Sequence, residues 1–136
     1  MHDGEQARAE HDSSGVWPSD FLYADQELAT PSHYIAEKVG ALGPCYSIST
    51  ACTSSAKALI SAKALITADL ADVVICGGVD SLCKLTINGF NALASMSTGM
   101  CKPFCDDRDG ITIGEGAALF VMSKEAPLEN GVMFLG

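Results

Sequence analysis

The stretch Gly43-Pro44-Cys45-Tyr46-Ser47-Ile48-Ser49-Thr50-Ala51-Cys52-Thr53-Ser54-Ser55 decides the reading of this chain. Cys45–Thr50 reads as a short strand. Ala51-Cys52-Thr53-Ser54-Ser55 follows at once, and then a long helical pattern runs to about Asp69, which puts Cys52 at or near a helix start. On it Ala58, Leu59, Ala62, Leu65 and Ile66 fall on one face, while Lys57, Ser61, Lys63 and Thr67 fall on the other. The small Ala58 and Ala62 on the apolar face let this helix pack close to a sheet or another helix, as is expected here.

Downstream, Ala71-Asp72-Val73-Val74-Ile75-Cys76-Gly77-Gly78 is an apolar run without alternation. Such a run indicates a strand buried on both faces, as in a parallel sheet. Its Gly77-Gly78 end fits tight packing against a neighbour. Leu82–Met96 is expected to be helical in part, with Asn88-Gly89 as a break. Thr98–Asp109 reads as a loop, Asp109-Gly110 as a turn, and Ala117–Met122 as a further strand behind Gly114 and Gly116. Upstream, Thr30 is expected to cap a helix with Pro31 at its first position. Tyr34, Ile35 and Val39 recur along it, and Gly40 and Gly43-Pro44 end it. Residues 1–25 show no clear period; Trp17-Pro18 and Phe21-Leu22-Tyr23 suggest packing without regular structure. The tail holds Pro127, Asn130-Gly131 and the apolar Val132–Leu135. Strands alternating with helices mark an α/β domain with a mixed or mostly parallel sheet.

Composition narrows the classes. A chain of 136 residues fits one domain. At 48% hydrophobic and 18% charged residues, with mean hydropathy +0.22, it is too apolar for a disordered chain. The longest uncharged stretch, between Lys38 and Lys57, is too rich in Gly, Pro, Ser and Thr for a lipid-facing helix. The net charge is −9, from 17 acids against 8 bases, and 7 of the acids lie within residues 1–34 beside Arg8 alone. An acidic chain without a Lys/Arg cluster argues against nucleic acid and anionic membrane as partners. Met1–Ser14 lacks the basic and apolar regions of a secretory signal, so the cytoplasm is expected. Of the six cysteines, Cys45, Cys52, Cys76, Cys83, Cys101 and Cys105, no two form a C-x-x-C pair. His2, His11 and His33 all precede them, so neither a metal site nor a disulfide framework is expected. Cys76 and Cys83 read as small buried hydrophobes.

The chemistry concentrates at Cys52. Unpaired N–H groups at a helix start stabilise a thiolate. The same groups can donate to an oxyanion formed beside the sulfur. Ala51, Thr53, Ser54 and Ser55 are small enough to leave a substrate room. That combination suits acyl-thioester chemistry. The local pattern alone also fits an inert cysteine in a serine-rich turn, or a cysteine hydrolase or peroxidase.

The flanking motifs discriminate. The Gly43–Ser55 stretch resembles the active-site segment of the β-ketoacyl-[acyl-carrier-protein] synthases. The resemblance continues through Ala71-Asp72-Val73-Val74-Ile75-Cys76-Gly77-Gly78-Val79-Asp80, Gly89-Phe90 and Ser97. It ends in Lys102-Pro103-Phe104-Cys105-Asp106-Asp107-Arg108-Asp109-Gly110-Ile111 and Gly114-Glu115-Gly116-Ala117. It implies a thiolase-like α/β fold, here part of one lobe, with a mixed, mostly parallel sheet flanked by helices. Residues 26–136 would be a partial N-terminal lobe, behind an irregular acidic segment at 1–25. Cys52 would be the catalytic nucleophile that takes an acyl group from a carrier-protein thioester, with its own N–H as an oxyanion donor. Phe90 would line the acyl pocket. Arg108-Asp109-Gly110 would be a structural loop near the site. The partners implied are acyl carrier protein and a second copy of the chain, paired through the strand before Cys52. No cofactor or metal is implied.

The parent reaction would be decarboxylative Claisen condensation of the acyl-enzyme with a malonyl extender, in fatty-acid or polyketide-type biosynthesis. Synthases of this type add two histidines from their second half, and no histidine follows Cys52 here. The alternative is therefore a catalytically inactive fragment, or a dimerising module that keeps the fold. Without those imidazoles, this chain alone is expected to acylate but not to condense.

Overall fold

The computed structural model describes residues 4–125 and 131–135; His2, Pro127 and Asn130 lie outside the described residues. The chain divides into two compact units, Met1–Ser54 and Ser55–Gly136. That boundary falls at the start of the long helix.

The first unit opens with α1, Gly4–Ser14, which corrects the expectation of an irregular segment. Its sequence is almost entirely polar, so it carries no apolar stripe to betray its period. Good helix formers, an Arg8–Asp12 ion pair one turn apart at 2.9 Å and left-handed Gly15 behind it make the helix. Behind it Trp17 stacks between His11 and Phe21, at ring separations of 4.4 and 4.8 Å. This is the irregular packing expected of that segment. A single 3-10 turn, Tyr23–Gln26, leads into α2, Thr30–Val39. Thr30 is the first helical residue, and Ala29 takes the cap position. The Thr30 hydroxyl donates backward to the Ala24 carbonyl instead of capping α2. Gly40 ends the helix in the left-handed conformation, as expected.

Cys45–Thr50 is not a strand. A strand exists by virtue of a hydrogen-bonded neighbour. Its β-type pairing among the described residues is an isolated bridge between Thr50 and Cys52.

The second unit is built on α3, Ser54–Thr67, and on two strands, β1, Val73–Asp80, and β2, Gly116–Ser123. Ala62 and Ile66 are buried at 2% and 5% exposure, and Ala58, Leu59 and Leu65 are half-buried. The apolar face read from spacing is therefore the face that packs. α3 closes on left-handed Asp69, which pairs with Lys124.

The strands run antiparallel, pairing Val74 with Met122, Cys76 with Phe120 and Gly78 with Ala118. No parallel strand pair is present among the described residues, where a mostly parallel sheet was expected. Nor is β1 buried on both faces. Cys76 is buried, at 8% exposure. Val73, Ile75, Val79, Leu119 and Val121 share the other face and stay exposed, Val121 at 73%.

Gly77 and Gly78 lie inside β1, not at its end. A Cβ at Gly78 would overlap the Ser55 hydroxyl in the first turn of α3. The glycine is what allows helix and strand to approach so closely.

Between the strands lies α4, Lys84–Ala92. It runs through Asn88-Gly89 without a break, because its last backbone bonds reach past them, as in Leu93 N–H to the Gly89 carbonyl.

Candidate functional site

Cys52 lies at the end of the first unit, two residues before α3 begins, and its side chain is exposed. The turn that carries it is braced by hydroxyls. Ala51 is held in the left-handed region at φ 54°. That conformation costs a non-glycine residue roughly 1–2 kcal/mol. Ser54 offsets it from both sides. Its hydroxyl donates to the Ala51 carbonyl at 2.7 Å and accepts from the Thr50 N–H at 2.8 Å. The Ser54 N–H also donates to the Ala51 carbonyl, at 3.0 Å. Thr53 donates its hydroxyl to the Thr50 carbonyl at 2.9 Å, and the Thr50 and Thr53 hydroxyls meet at 3.0 Å. The cysteine thus sits on a turn whose shape is fixed by its neighbours. Thr50, Thr53 and Ser54 escape a search for nucleophiles. The signal that finds them is the density of Ser and Thr before an apolar helical run, where hydroxyls compete for backbone groups.

The remaining thiols differ in setting. All six cysteines are free, and only Cys52 and Cys105 are exposed. Burial pushes the Cys76 thiol up from its ordinary value. Cys83, expected to be buried, is half-buried at the cap of α4 with its sulfur 3.0 Å from the Thr86 hydroxyl. Phe90 lies on α4, in the second unit, and is half-buried.

Asp109 accepts from the Thr98 hydroxyl at 2.6 Å, the Ser97 hydroxyl at 2.7 Å and the Thr98 N–H at 3.1 Å. These donors hold its carboxyl well below the usual carboxylate range. Gly110 packs where a Cβ would come within 2.6 Å of the Met96–Ser97 backbone. Asp109-Gly110 is thus a clasp, not a turn, and the Ile111 N–H completes it on the Ser95 carbonyl at 2.9 Å.

Among the described residues, no three His, Cys, Asp or Glu side chains gather as a metal site, and no helix is long and apolar enough to cross a membrane.

A synthase from Hordeum vulgare, "3-oxoacyl-[acyl-carrier-protein] synthase I, chloroplastic", is 33% identical over 129 residues, 90% of this chain and 28% of that protein. The ketoacyl synthase alpha subunit of the tetracenomycin polyketide synthase of Streptomyces glaucescens is 36% identical over 97 residues, covering 66% of this chain and 23% of its own. Among solved structures, the ketosynthase of Xenorhabdus doucetiae in complex with its chain length factor superposes with a TM-score of 0.82 at 41% identity. That match covers 91% of this chain and 32% of the ketosynthase. A type II polyketide synthase ketosynthase, in complex with its acyl-carrier protein and bound to the hexaketide, gives 0.74 at 27% identity, over 88% of this chain and 33% of its own. The chain spans between about a fifth and a third of the length of the relatives it matches. The family model described as "Beta-ketoacyl synthase, N-terminal domain" matches residues 2–127, which takes in the braced cysteine turn, both strands and the Asp109 clasp. On that match the chain belongs to the β-ketoacyl synthase family, within its N-terminal domain.

Proposed function

We propose that this chain is the acyl-accepting part of a condensing acyltransferase, with Cys52 as its nucleophile. The observation that carries the reading is an exposed thiol on a hydrogen-bonded turn just before α3, inside the residues that the family model matches. The Cys52 sulfur attacks the carbonyl carbon of an acyl thioester, and a new C–S bond forms as the carbonyl oxygen takes the charge. Collapse of that oxyanion breaks the old C–S bond and releases the carrier thiol, which leaves with the proton Cys52 gave up. The whole protein would then condense the acyl-enzyme with a malonyl extender. Its imidazoles would come from outside residues 1–136, since no histidine follows Cys52 here.

The partner proposed is an acyl carrier protein, as in the hexaketide-bound relative. The assembly proposed is a dimer with a second copy of the chain; the Xenorhabdus relative pairs instead with a chain length factor. Cys45–Thr50, which is not a strand in the isolated chain, would become one through that pairing. β1 and β2 would belong to a larger, mostly parallel sheet, whose further layer would cover the exposed Val73, Ile75 and Val121. Phe90 would line the acyl pocket, and the protein would work in the cytoplasm.

Incubation with hexanoyl-N-acetylcysteamine and peptide mapping tests the core of this. The acyl group is expected on the Cys52 peptide, with none on the corresponding peptide of Cys52→Ala. Acylation spread over several thiols, or none at all, overturns it. Comparing hexanoyl and dodecanoyl thioesters on Phe90→Ala tests the pocket assignment. The variant should shift the preference between them, and an unchanged ratio removes Phe90 from the pocket.

A further inference from the structure

We propose that Ser54 is a positioning residue that aims the backbone N–H of Cys52. This rests on the acyl-transfer reading above and deepens it.

The carbonyl of Ala51 and the N–H of Cys52 belong to the same plane, and no peptide bond in the described residues is cis. In a trans unit the C=O and N–H point in opposite directions. Whatever fixes the Ala51 carbonyl therefore fixes the Cys52 N–H. Ser54 grips that carbonyl twice, through its hydroxyl at 2.7 Å and its own N–H at 3.0 Å. The hydroxyl is held in turn by the Thr50 N–H at 2.8 Å, so it has little freedom to swing away. Left alone, Ala51 would relax from φ 54° toward the commoner region of negative φ. That relaxation would rotate the peptide plane and turn the Cys52 N–H with it. An oxyanion donor works only when it already points at the place where charge develops. Ser54 thus supplies the preorganisation, though it touches neither substrate nor sulfur in this account.

The test uses two reactions of one thiol. Acylation by hexanoyl-N-acetylcysteamine passes through an oxyanion. Alkylation by iodoacetamide displaces iodide at a saturated carbon and forms none. Both need the thiolate, so their rate ratio cancels changes in thiolate fraction. For Ser54→Ala the ratio of acylation to alkylation at Cys52 is expected to fall about ten-fold, a fraction of the loss when a whole donor is removed. Ser54→Thr, which keeps the hydroxyl, should restore it. An unchanged ratio in a folded Ser54→Ala protein overturns the proposal. So does an equal fall in both rates, which would mean that Ser54 only holds the thiol. If Ser54→Ala loses its circular dichroism signal, the ratio is read on Ser54→Asp. An acid is favoured in a first helical turn, and its ionised carboxylate cannot donate to the Ala51 carbonyl. The same fall is expected there, and a wild-type ratio again overturns the proposal. Absence of acylation in the unaltered chain sinks the underlying acyl-transfer reading instead, so the two failures are distinguishable.

Discussion

The carboxylate of Asp109 takes the hydroxyl of Ser97 at 2.7 Å across twelve residues of chain. With the two bonds from Thr98, it closes the loop that carries Lys102-Pro103-Phe104. A depressed carboxyl favours the folded clasp above the unfolded value of about 3.9, and that contribution is lost only as pH falls through the folded value. Hydrogen exchange at the Thr98 amide should therefore keep its protection, corrected for intrinsic rate, from pH 7 down to about 4. Asp109→Asn should lower that protection about ten-fold at every pH in that range, because charged acceptors make the stronger bonds. A wild-type clasp that loosens near pH 5 contradicts this account.

Gly78 and Ser55 make a second testable pair. Gly78→Ala puts a methyl group into the Ser55 hydroxyl. Overpacking of this kind costs about 1–3 kcal/mol, read as a lower urea midpoint. Ser55→Ala removes the obstructing oxygen, so the double variant should recover at least half of the loss. Strict additivity would show that the two residues do not meet.

The six thiols should separate by rate. With iodoacetamide at neutral pH, Cys52 is expected to react first. Cys76, buried and with its thiol pushed up, should react last and only on opening of the fold. Mapping labelled peptides over time checks the order. Equal rates for Cys52 and Cys105, the other exposed thiol, would remove the special status of Cys52.

The parts legible in sequence were those set by local periodicity and by motif. The apolar face of α3 was readable because Ala58, Leu59, Ala62, Leu65 and Ile66 repeat at helical spacing, and these are the least exposed apolar positions along it. β2 was readable as an apolar run behind glycines. α1 was hidden because a polar helix has no stripe to count. Asn88-Gly89 misled because a turn-forming dipeptide does not break a helix whose backbone bonds close around it. Strand direction was not readable at all: a run such as Val73–Cys76 carries no mark of which neighbour it pairs with. At the site, residue types located Cys52. The grip of Ser54 on the Ala51 carbonyl is a matter of distances, which spacing does not encode.

The exposed face of the β1–β2 ribbon has a calorimetric consequence. Apolar area that is already wet in the folded state adds nothing to the heat-capacity increment when the chain unfolds. With Val73, Ile75, Val79, Leu119 and Val121 in water beforehand, that increment should fall below the usual ~12–15 cal/mol/K per residue. The stability curve of this chain would then be flatter than that of a domain with both faces of its sheet covered.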